Sequence, residues 1–404
     1  MSKKNKFKIA WLEKAVSWVD ILLQFLLFVL SYIVPKKSHM LVFWAWAGYI
    51  CDGNPKYIYL YSLTQKEQVL PYWITKNKEI YHTLSEKWYP VLYMYSFKWF
   101  AGILRARFLI NDHSSKDISY ILSLFWRFQT LQTWHGTPLK KIWIPLFQGT
   151  WAYNSMKQYL IRREYKKDIY ICSPSRFISQ IFQEVFDYSD EIPVTWYPRN
   201  DIYFNPTLIK SQIPETLWLS NYKKVITYAP TYRDNNSITP LSKSYIDTLH
   251  DYCVTDNYLF VLKLHPFDSS MTYDFDWYTH IKKVSKHIDL QELLTYTDVL
   301  ITDYSSVFFD YMVTQKPVIY YCYDYELYMQ DRWMLMDYFT DLPWPFIKTE
   351  GELLNCLDTI DTWFYDKEYM QKYNACNDTY NFYKDGKSSE RVFNLILTKL
   401  QWKK

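Results

Sequence analysis

Two histidines lie where an imidazole could take part in proton transfer. His135 occupies the turn of WHGTPLKK, directly after the apolar run QTLQT, and His265 follows the apolar run VLKL. Histidine titrates near neutral pH and can remove a proton from an attacking hydroxyl. A histidine in such a turn is more often structural, but the lysines beside His135 favour a catalytic role. The residues of this turn that could contact a substrate are Gly136, Thr137, Pro138, Lys140 and Lys141.

The segment DYSSVFFDY places two hydroxyls at the predicted start of a helix. The N–H groups and the positive dipole end of a helix start attract anions, and Ser305 and Ser306 add donors, so this step could hold a pyrophosphate. Such a site needs no glycine loop, which agrees with the absence of glycine from residues 150–350. Asp310, one turn into the helix, could accept hydrogen bonds from ribose hydroxyls. The alternative is that Asp303 or Ser305 only caps its own helix.

Other polar groups follow the strands predicted in the same half of the chain. Arg233 comes after VITYAP, Lys263 lies within VLKLHP, and Lys283 and Ser285 follow the pair HI. Ligands of an open parallel sheet bind beyond the carboxyl ends of its strands, so these groups are predicted to face one crevice. No run of carboxylates in the sequence would occupy both Arg233 and Lys263, although Asp234 could pair with Arg233.

Several kinds of chemistry have no support in the sequence. No H-E-x-x-H spacing, G-x-S-x-G elbow or paired Cys–His signature is present, so we expect no metal centre, no cofactor and no covalent nucleophile. The net charge of +4 is too small for a dedicated nucleic-acid binder. Six well-separated cysteines in so long a chain indicate reduced, buried thiols. The histidines to which we assign no role are His39, His82, His113, His250, His280 and His287.

An α/β fold is predicted to position these residues. Short apolar runs alternate with helical stretches, and the strand candidates of the first half are MLVFWAW, PYWIT, RFLIND, QTLQTWHG, DIYICSPS and PVTWYP. Those of the second half are KKVITYAP, YLFVLKLHP, THIKKVS, DVLITDYSS and KPVIYY. Such continuous apolar runs are typical of parallel strands buried on both faces. The 404 residues are therefore predicted to form two doubly wound, Rossmann-like domains.

The segment from Ala15 to Val34 is predicted to associate with a membrane. It is long enough to span a bilayer, but Asp20 and Gln24 interrupt its first half and lysines flank both ends. A spanning anchor and a helix lying in the interface both remain open, and a buried amphipathic helix is a third alternative. We expect attachment to the cytoplasmic side of the cell membrane.

In the order and spacing of its motifs, the chain resembles the CDP-glycerol glycerophosphotransferase family, the primases and polymerases of teichoic acid synthesis, which includes ribitol-phosphate transferases. The resemblance runs from Leu41 to Pro345 and is carried by FWAWAGYICDGNPKYIY, FLIND, TWHGTPLKK, YPRND, YAPTYRD, LKLHP, ITDYSSVFFDY, KPVIYY and DRWMLMDYFTDLPWP. The chain departs from the family pattern at Tyr197, Trp333 and Trp344, where glycines are common. These departures affect the prediction of which acceptor and which alditol are used more than the prediction of the donor nucleotide.

The resemblance implies a GT-B arrangement, in which an acceptor-side domain faces a CDP-alditol-binding domain. It also implies that His135 and His265 are catalytic, with His135 as the base. Arg199 of YPRND is predicted to bind substrate as well. The donor contacts that the resemblance implies are Arg233, Ser305, Ser306 and Asp310.

We therefore predict an enzyme that moves glycerol phosphate or ribitol phosphate from a CDP-alditol to a lipid-linked saccharide or a growing teichoic-acid or capsule polymer, releasing CMP. The alternatives are a GT-B glycosyltransferase that uses a nucleotide sugar and a binding protein that has lost turnover. Its partners would be the donor, the acceptor and membrane lipid, but not nucleic acid. The predicted divisions are a membrane-associated helix at 1–38, an acceptor-side domain at 39–205, and a donor domain with C-terminal helices at 206–404.

Overall fold

In the computed structural model the chain forms two α/β domains, each built on a six-stranded sheet in which every neighbouring pair of strands is parallel. The predicted α/β class with parallel sheets is thus confirmed. The residues that the structure describes are 22, 25, 26, 28–113, 129–140, 169–186, 188, 190–209, 211–233, 240–265, 273–331 and 334–401.

The first sheet has the strand order β3-β2-β1-β4-β5-β6. Along its central strand, Leu41 and Phe43 belong to one apolar cluster and Val42 and Trp44 to another, so both faces of the sheet are buried. This double burial is why the strands appear in the sequence as continuous apolar runs. The strands are β1 (Met40–Trp44), β2 (Leu70–Thr75), β3 (Val91–Tyr93), β4 (Phe108–Asn111), β5 (Gln129–Gln132) and β6 (Ile169–Ile171).

The second sheet repeats this topology with the order β12-β11-β10-β7-β8-β9. In each sheet the chain reverses direction across the sheet beside its first strand, between β1 and β4 and between β7 and β10. Doubly wound sheets bind ligands at this switch point, beyond the carboxyl ends of the strands. The strands are β7 (Lys224–Tyr228), β8 (Tyr258–Leu262), β9 (Ile281–Lys283), β10 (Val299–Thr302), β11 (Val318–Tyr321) and β12 (Phe346–Ile347).

The sequence prediction differs from the observed strands at three places. The prediction of a strand at PVTWYP is wrong, because Val194 makes only an isolated bridge to Ser173. Prolines at both ends of this segment cannot donate backbone hydrogen bonds, which prevents continuous pairing. The edge strands β3 and β12 were not predicted, because runs of only 3 and 2 residues are too short to show a periodic pattern.

The helices pack on both faces of the sheets. Those before the linker between the domains are α1 (Gly53–Leu63), α2 (Lys78–Glu86), α3 (Phe97–Arg105) and α4 (Arg176–Phe186). The linker contains 3₁₀ helices at Pro198–Tyr203 and Pro206–Leu208. Those after it are α5 (Ile213–Thr216), α6 (Lys243–Asp256), α7 (Leu290–Thr295), α8 (Val307–Tyr311), α9 (Tyr325–Asp331), α10 (Tyr338–Asp341), α11 (Glu350–Asp358), α12 (Ile360–Trp363), α13 (Lys367–Tyr380) and α14 (Ser388–Gln401).

The last helix, α14, returns to the first domain. Val392, Phe393 and Ile396 are buried in the apolar cluster of the first sheet. The carboxylate of Asp201 accepts hydrogen bonds from the backbone N–H groups of Ser388 and Ser389 at 2.8 and 2.7 Å and so caps this helix. The predicted division, which assigns the C-terminal helices to the second domain, therefore differs from the packing of α14.

Half of the predicted membrane segment, residues 15–21, 23, 24 and 27, lies outside the described residues. Residues 28–33 are helical, and Phe28, Leu30 and Val34 pack against the cluster that contains Trp99. Val29 and Ile33 lie on the other side of this helix and are exposed. Among the described residues, no helix combines the length and apolar character needed to cross a bilayer.

Candidate active site

A cavity of about 420 Å³ lies between the two domains. First-domain residues reach it from the segments after β1, β4 and β5, and second-domain residues from those after β7, β8 and β10. The cavity thus lies at the switch points of both sheets, and its volume is typical of a small-molecule site. The predicted site residues that line it are His135, Gly136, Thr137, Pro138, Lys140, Arg199, Lys263, His265, Ser305 and Ser306.

The turn that carries His135 touches the residues just before α8 in the other domain. A Cβ atom built on Gly136 would lie 2.6 Å from Ser306 Oγ and 3.0 Å from Arg199 Nη2, and the φ angle of Gly136 is +145°. Neither the space nor the backbone conformation suits a larger residue. His135 and Ser306, which the sequence predicts on opposite walls of a cleft, therefore lie in one cavity.

The backbone before His135 is held in an unfavourable conformation. Trp134 has a φ angle of 56°, in the left-handed region that costs a residue with a side chain about 1–2 kcal/mol. Asn54, in the first turn of α1, donates from Nδ2 to the carbonyl oxygens of Thr133 and Trp134 at 3.0 and 2.8 Å. The side chain of Gln132 accepts from the Trp134 N–H at 3.0 Å. These bonds fix the turn and hence the direction of the His135 ring.

His135 has the hydrogen bonding of a neutral base. Its Nδ1 lies 3.1 Å from the carbonyl oxygen of Asp112. A carbonyl can only accept, so Nδ1 carries the proton and Nε2 keeps its lone pair. Burial, together with His113 and Arg199, lowers the pKa of His135 to about 3, although the bond to Asp112 opposes this shift. The imidazole is therefore neutral at physiological pH and able to accept a proton.

A row of aromatic rings joins His135 to His265. His135 stacks on Trp134 and on His113, with ring centroids 4.6 and 4.3 Å apart. Trp46 follows at 4.9 Å from His113 and lies 5.9 Å from His265. Because Trp46 and His113 belong to the first domain and His265 to the second, this row crosses the cleft.

Asp310 is buried at the seam between the domains and does not line the cavity. Its carboxylate pairs with Arg199 and accepts hydrogen bonds from Asn200 Nδ2 and Gln291 Nε2, each at 3.0 Å. Arg199 in turn donates from Nη1 to the carbonyl oxygen of His135 at 2.8 Å. Protein groups thus occupy both oxygens of Asp310, and the structure does not place it among the cavity residues as the sequence predicted. Through Arg199, Asp310 links the second domain to the loop that carries His135.

Arg233 also lies away from the cavity. Its Nε donates to Asp324 at 2.7 Å, its Nη2 donates to Asp303 at 2.8 Å, and its Nη1 donates to the Thr231 carbonyl at 2.6 Å. Two carboxylates that are distant in sequence, 70 and 91 residues away, therefore pair with Arg233. We assign this guanidinium to the support of the segment after β7 and not to the donor.

Lys263 lines the cavity, but backbone oxygens hold its ammonium group. Its Nζ donates to the carbonyls of Ser285 and Lys286 at 3.0 and 3.2 Å, and burial lowers its pKa. The hydroxyl of Ser285 accepts from the His287 N–H at 3.2 Å and does not line the cavity. The structure thus does not bring Ser285 into the cavity wall, whereas Lys286, which was not predicted, lines it.

Lys140 lies at the rim of the cavity, beside the second domain. Its Nζ lies 5.0 Å from the centre of the Tyr328 ring, and its backbone forms an isolated antiparallel bridge with Met334. The N–H of Leu335 donates to the Leu139 carbonyl at 3.0 Å. The HGTPLK loop is therefore tied to the segment before α10. Lys141 lies outside the described residues.

Ser305 and Ser306 place two hydroxyls in the cavity wall. Ser306 does not cap α8 with its side chain, and Ser305 Oγ accepts from the Val307 N–H at a long distance of 3.4 Å. Asp303 is bound to Thr231 and Arg233 and does not cap this helix. Because α8 is only 5 residues long, its dipole contributes less to anion binding than the sequence suggested. The serine hydroxyls and the cationic groups that line the cavity contribute correspondingly more to anion binding.

A family model described as CDP-Glycerol:Poly(glycerophosphate) glycerophosphotransferase matches residues 26–398. The chain belongs to this family. The resemblance stated from the sequence is thereby confirmed, and so is the prediction of an enzyme that transfers alditol phosphate in teichoic acid synthesis.

Individual relatives match along nearly the whole chain. The teichoic acid glycerol-phosphate transferase of Staphylococcus aureus (strain NCTC 8325 / PS 47) is 31% identical over 375 residues, which cover 90% of this chain and 94% of that protein. The teichoic acid poly(glycerol phosphate) polymerase of Bacillus subtilis (strain 168) is 28% identical. That match covers 92% of this chain but only 50% of the polymerase. The solved structure of the wall teichoic acid polymerase TagF has a TM-score of 0.77 at 26% identity and covers 99% of each chain.

In this family member a second buried ion cluster crosses the seam beside the cavity. Asp289, which caps α7, accepts from Lys56 Nζ at 2.5 Å and from Tyr57 Oη at 3.1 Å, both in α1 of the other domain. Burial raises the pKa of Asp289, but its interactions, above all those with Lys56, lower this pKa by more, so the net shift is downward. Asp52, in the cavity wall, has its pKa raised to about 7 by burial and by Asp289.

Several residues of the cavity wall were not predicted as site residues. Trp46 and Asp52 follow β1, and Asp112 follows β4. The signal that could have found them is their position, since each comes shortly after an apolar strand at the switch point. Among the described residues, no group of three or more His, Cys, Asp or Glu side chains could hold a metal ion.

Proposed function

We propose that this chain transfers glycerol phosphate from CDP-glycerol to a hydroxyl of a lipid-linked saccharide or a growing polymer, in a cleft between domains arranged as in GT-B enzymes. One observation carries the proposal. A neutral histidine whose Nε2 keeps its lone pair lies in the same cavity as the serine hydroxyls of the opposite domain. The first is suited to activate an acceptor and the second to bind a phosphate.

The reaction that we propose is an attack on the alditol-bearing phosphorus. Nε2 of His135 takes the proton of the acceptor hydroxyl, the acceptor oxygen forms a bond to phosphorus, and the bond from that phosphorus to the CMP oxygen breaks. His265 and the hydroxyls of Ser305 and Ser306 stabilise the charge on the phosphate oxygens. Lys263 adds positive potential from the cavity wall when it is protonated.

We propose glycerol phosphate rather than ribitol phosphate as the transferred group because of one relative, which is matched over 94% of its own length. That protein, from Staphylococcus aureus, carries the name of a glycerol-phosphate transferase. The polymerase of Bacillus subtilis is matched over only 50% of its own length.

The location that we propose is the membrane surface on the cytoplasmic side. The N-terminal helix packs one side against the first domain, while Val29 and Ile33 on its other side are 41% and 71% exposed. A helix held in this way can lie in the interface with its outer side in the lipid. This proposal would keep the cleft close to a lipid-linked acceptor.

A donor screen tests the proposed function. The detergent-purified full chain is incubated with a lipid-linked acceptor and, in separate reactions, with CDP-glycerol, CDP-ribitol or a nucleotide sugar. Release of CMP and an increase in acceptor mass by one glycerol phosphate are expected with CDP-glycerol. Reaction only with the nucleotide sugar would instead support a glycosyltransferase, and donor binding without product would support a protein that has lost turnover.

A further inference from the structure

His113 packs against His135 and has no part in the reaction proposed above. The two ring centroids are 4.3 Å apart and their planes differ by 11°. His113 lies in the segment after β4, its side chain is 29% exposed, and Trp46 lies 4.9 Å from its ring. The imidazole proposed as the base is therefore bounded by a second titratable ring and not only by apolar side chains.

Asp112 organises both histidines. Its Oδ1 accepts from His113 Nδ1 at 2.9 Å, while its backbone carbonyl accepts from His135 Nδ1 at 3.1 Å. The same Oδ1 also accepts from the backbone N–H of Trp46, with an N···O distance of 3.4 Å, and Asp112 is fully buried. One buried residue directly after β4 thus binds both of the stacked rings.

We propose that His113, held by Asp112, is a positioning residue for His135: it fixes the plane of the His135 ring in the cleft, and its cationic form disfavours a second positive charge on that ring. The proposal rests on the proposed function, because it assigns His135 the task of taking the acceptor proton. It goes beyond that function by giving the neighbouring Asp112–His113 pair a role in the reaction.

The geometric part of the role follows from the stacking. A ring bounded on a face by another ring cannot rotate freely, and a base displaced by about 1 Å can lose about a hundredfold in rate. The electrostatic part follows from the carboxylate, because an adjacent carboxylate favours the imidazolium form of a histidine. A positive charge on His113 adds to the effect of burial, which is the larger cause, in lowering the pKa of His135.

Charged and titratable groups reach the site of His135 from several elements. His113 and Asp112 follow β4, and Arg199 from the Pro198–Tyr203 helix donates to the His135 carbonyl. Lys140 of the same loop and His265 of the second domain line the same cavity. Of these, His113 and Arg199 oppose protonation of His135. A pH experiment must therefore change His113 and leave the others intact.

The test compares two substitutions of one residue. His113→Phe keeps a flat ring and removes the charge, whereas His113→Ala removes both. The matched control is His82→Ala, because His82 lies on α2, is exposed and does not line the cavity. For the full chain and each variant, CMP release from CDP-glycerol is measured against pH, donor affinity is measured by calorimetry, and the fold is checked by thermal unfolding.

We expect His113→Ala to lower kcat by about tenfold to a hundredfold with little change in donor affinity. We expect His113→Phe to recover most of this loss at high pH. In His113→Phe the limb on which activity falls with decreasing pH should move upward by about one pH unit, because His135 accepts a proton more readily once the neighbouring cation is gone. The His82→Ala enzyme should match the unmodified one.

The proposal is overturned if His113→Ala keeps both the kcat and the pH profile of the unmodified enzyme, or if His113→Phe leaves the acid limb in place. If His113→Ala fails to fold, the His113→Phe profile decides alone. Failure of the proposed function has a different signature, since the unmodified chain would then release no CMP from any CDP-alditol. In that event, NMR titration of histidine-labelled protein still tests the inference, through an upward shift of the His135 midpoint in His113→Phe.

Discussion

At the seam beside the cavity, two buried carboxylates of the second domain are paired with cations, one from the linker and one from the first domain. Asp310 holds Arg199, which contacts the backbone of His135, and Asp289 holds Lys56. A buried pair contributes little net stability compared with apolar side chains, but losing one partner leaves an uncompensated charge. These residues therefore make the position of His135 depend on the contact between the domains.

Removal of the carboxylate of Asp310 should be strongly destabilising. In Asp310→Ala, the guanidinium of Arg199 stays buried without its counter-charge, at an expected cost of about 3–5 kcal/mol in the free energy of unfolding. Urea unfolding followed by circular dichroism measures this difference. The control is Glu326→Ala, which breaks an exposed pair with Lys348 and should leave stability nearly unchanged. Equal stability of the two variants would contradict the role given to Asp310.

Sequence reasoning placed residues correctly in the cavity where their location follows from the end of a strand alone. His135, His265 and Ser306 each follow an apolar run, and parallel strands bring such positions together. Arg233 and Asp310 were misplaced for the opposite reason. The carboxylates of Arg233 lie 70 and 91 residues away along the chain, and the guanidinium that binds Asp310 lies 111 residues away. Ion pairs between residues so far apart along the chain leave no pattern in the local sequence.

At the scale of secondary-structure elements, the alternation of apolar runs predicted the two parallel sheets, because strands buried on both faces are continuous in sequence. The same signal gave no information on how helices pack across domains. The last helix, α14, has a buried side formed by Val392, Phe393 and Ile396, but an amphipathic pattern does not identify the surface that it covers. Its capping residue, Asp201, lies in the linker and far away in sequence.

Truncation of Phe393 should therefore destabilise the first domain, although the residue follows the second domain in sequence. Its ring lies 5.4 Å from that of Tyr61 on α1, and the residue is 1% exposed. Phe393→Ala should lower the free energy of unfolding by about 3–5 kcal/mol, as expected for a buried phenylalanine. Asn394→Ala, an exposed position on the same helix, is the control and should cause little change. A small effect of Phe393→Ala in chemical denaturation would mean that α14 does not pack as described.

At the scale of the whole molecule, the N-terminal helix extends the apolar surface of the first domain. Its inner residues join the cluster around Trp99, so the helix is fixed to the domain that presents His135. Its exposed side is apolar, and an exposed apolar patch on a soluble domain commonly marks a contact with a partner or a membrane. Our proposed location assigns this side to lipid.

A double substitution on the outer side of this helix tests the proposed location. Val29→Asp combined with Ile33→Asp should lower binding to vesicles of phosphatidylglycerol and phosphatidylethanolamine by about tenfold or more, because apolar burial in the interface is replaced by charge. Cosedimentation measures the bound fraction. Trp277→Asp, which changes a side chain that is 85% exposed on the second domain, should bind as the unmodified protein does. Vesicle binding that survives the double substitution would rule out this side of the helix as the contact.

The central claim is that the imidazole of His135 accepts the acceptor proton in a cleft that both domains line. The most direct test is single-turnover CMP release from CDP-glycerol in the presence of acceptor, with the unmodified chain and with His135→Ala. The account predicts that His135→Ala keeps its fold and its donor affinity but loses about 10²–10⁴ in the rate of CMP release. A rate within about tenfold of the unmodified chain, with donor affinity unchanged, would contradict it.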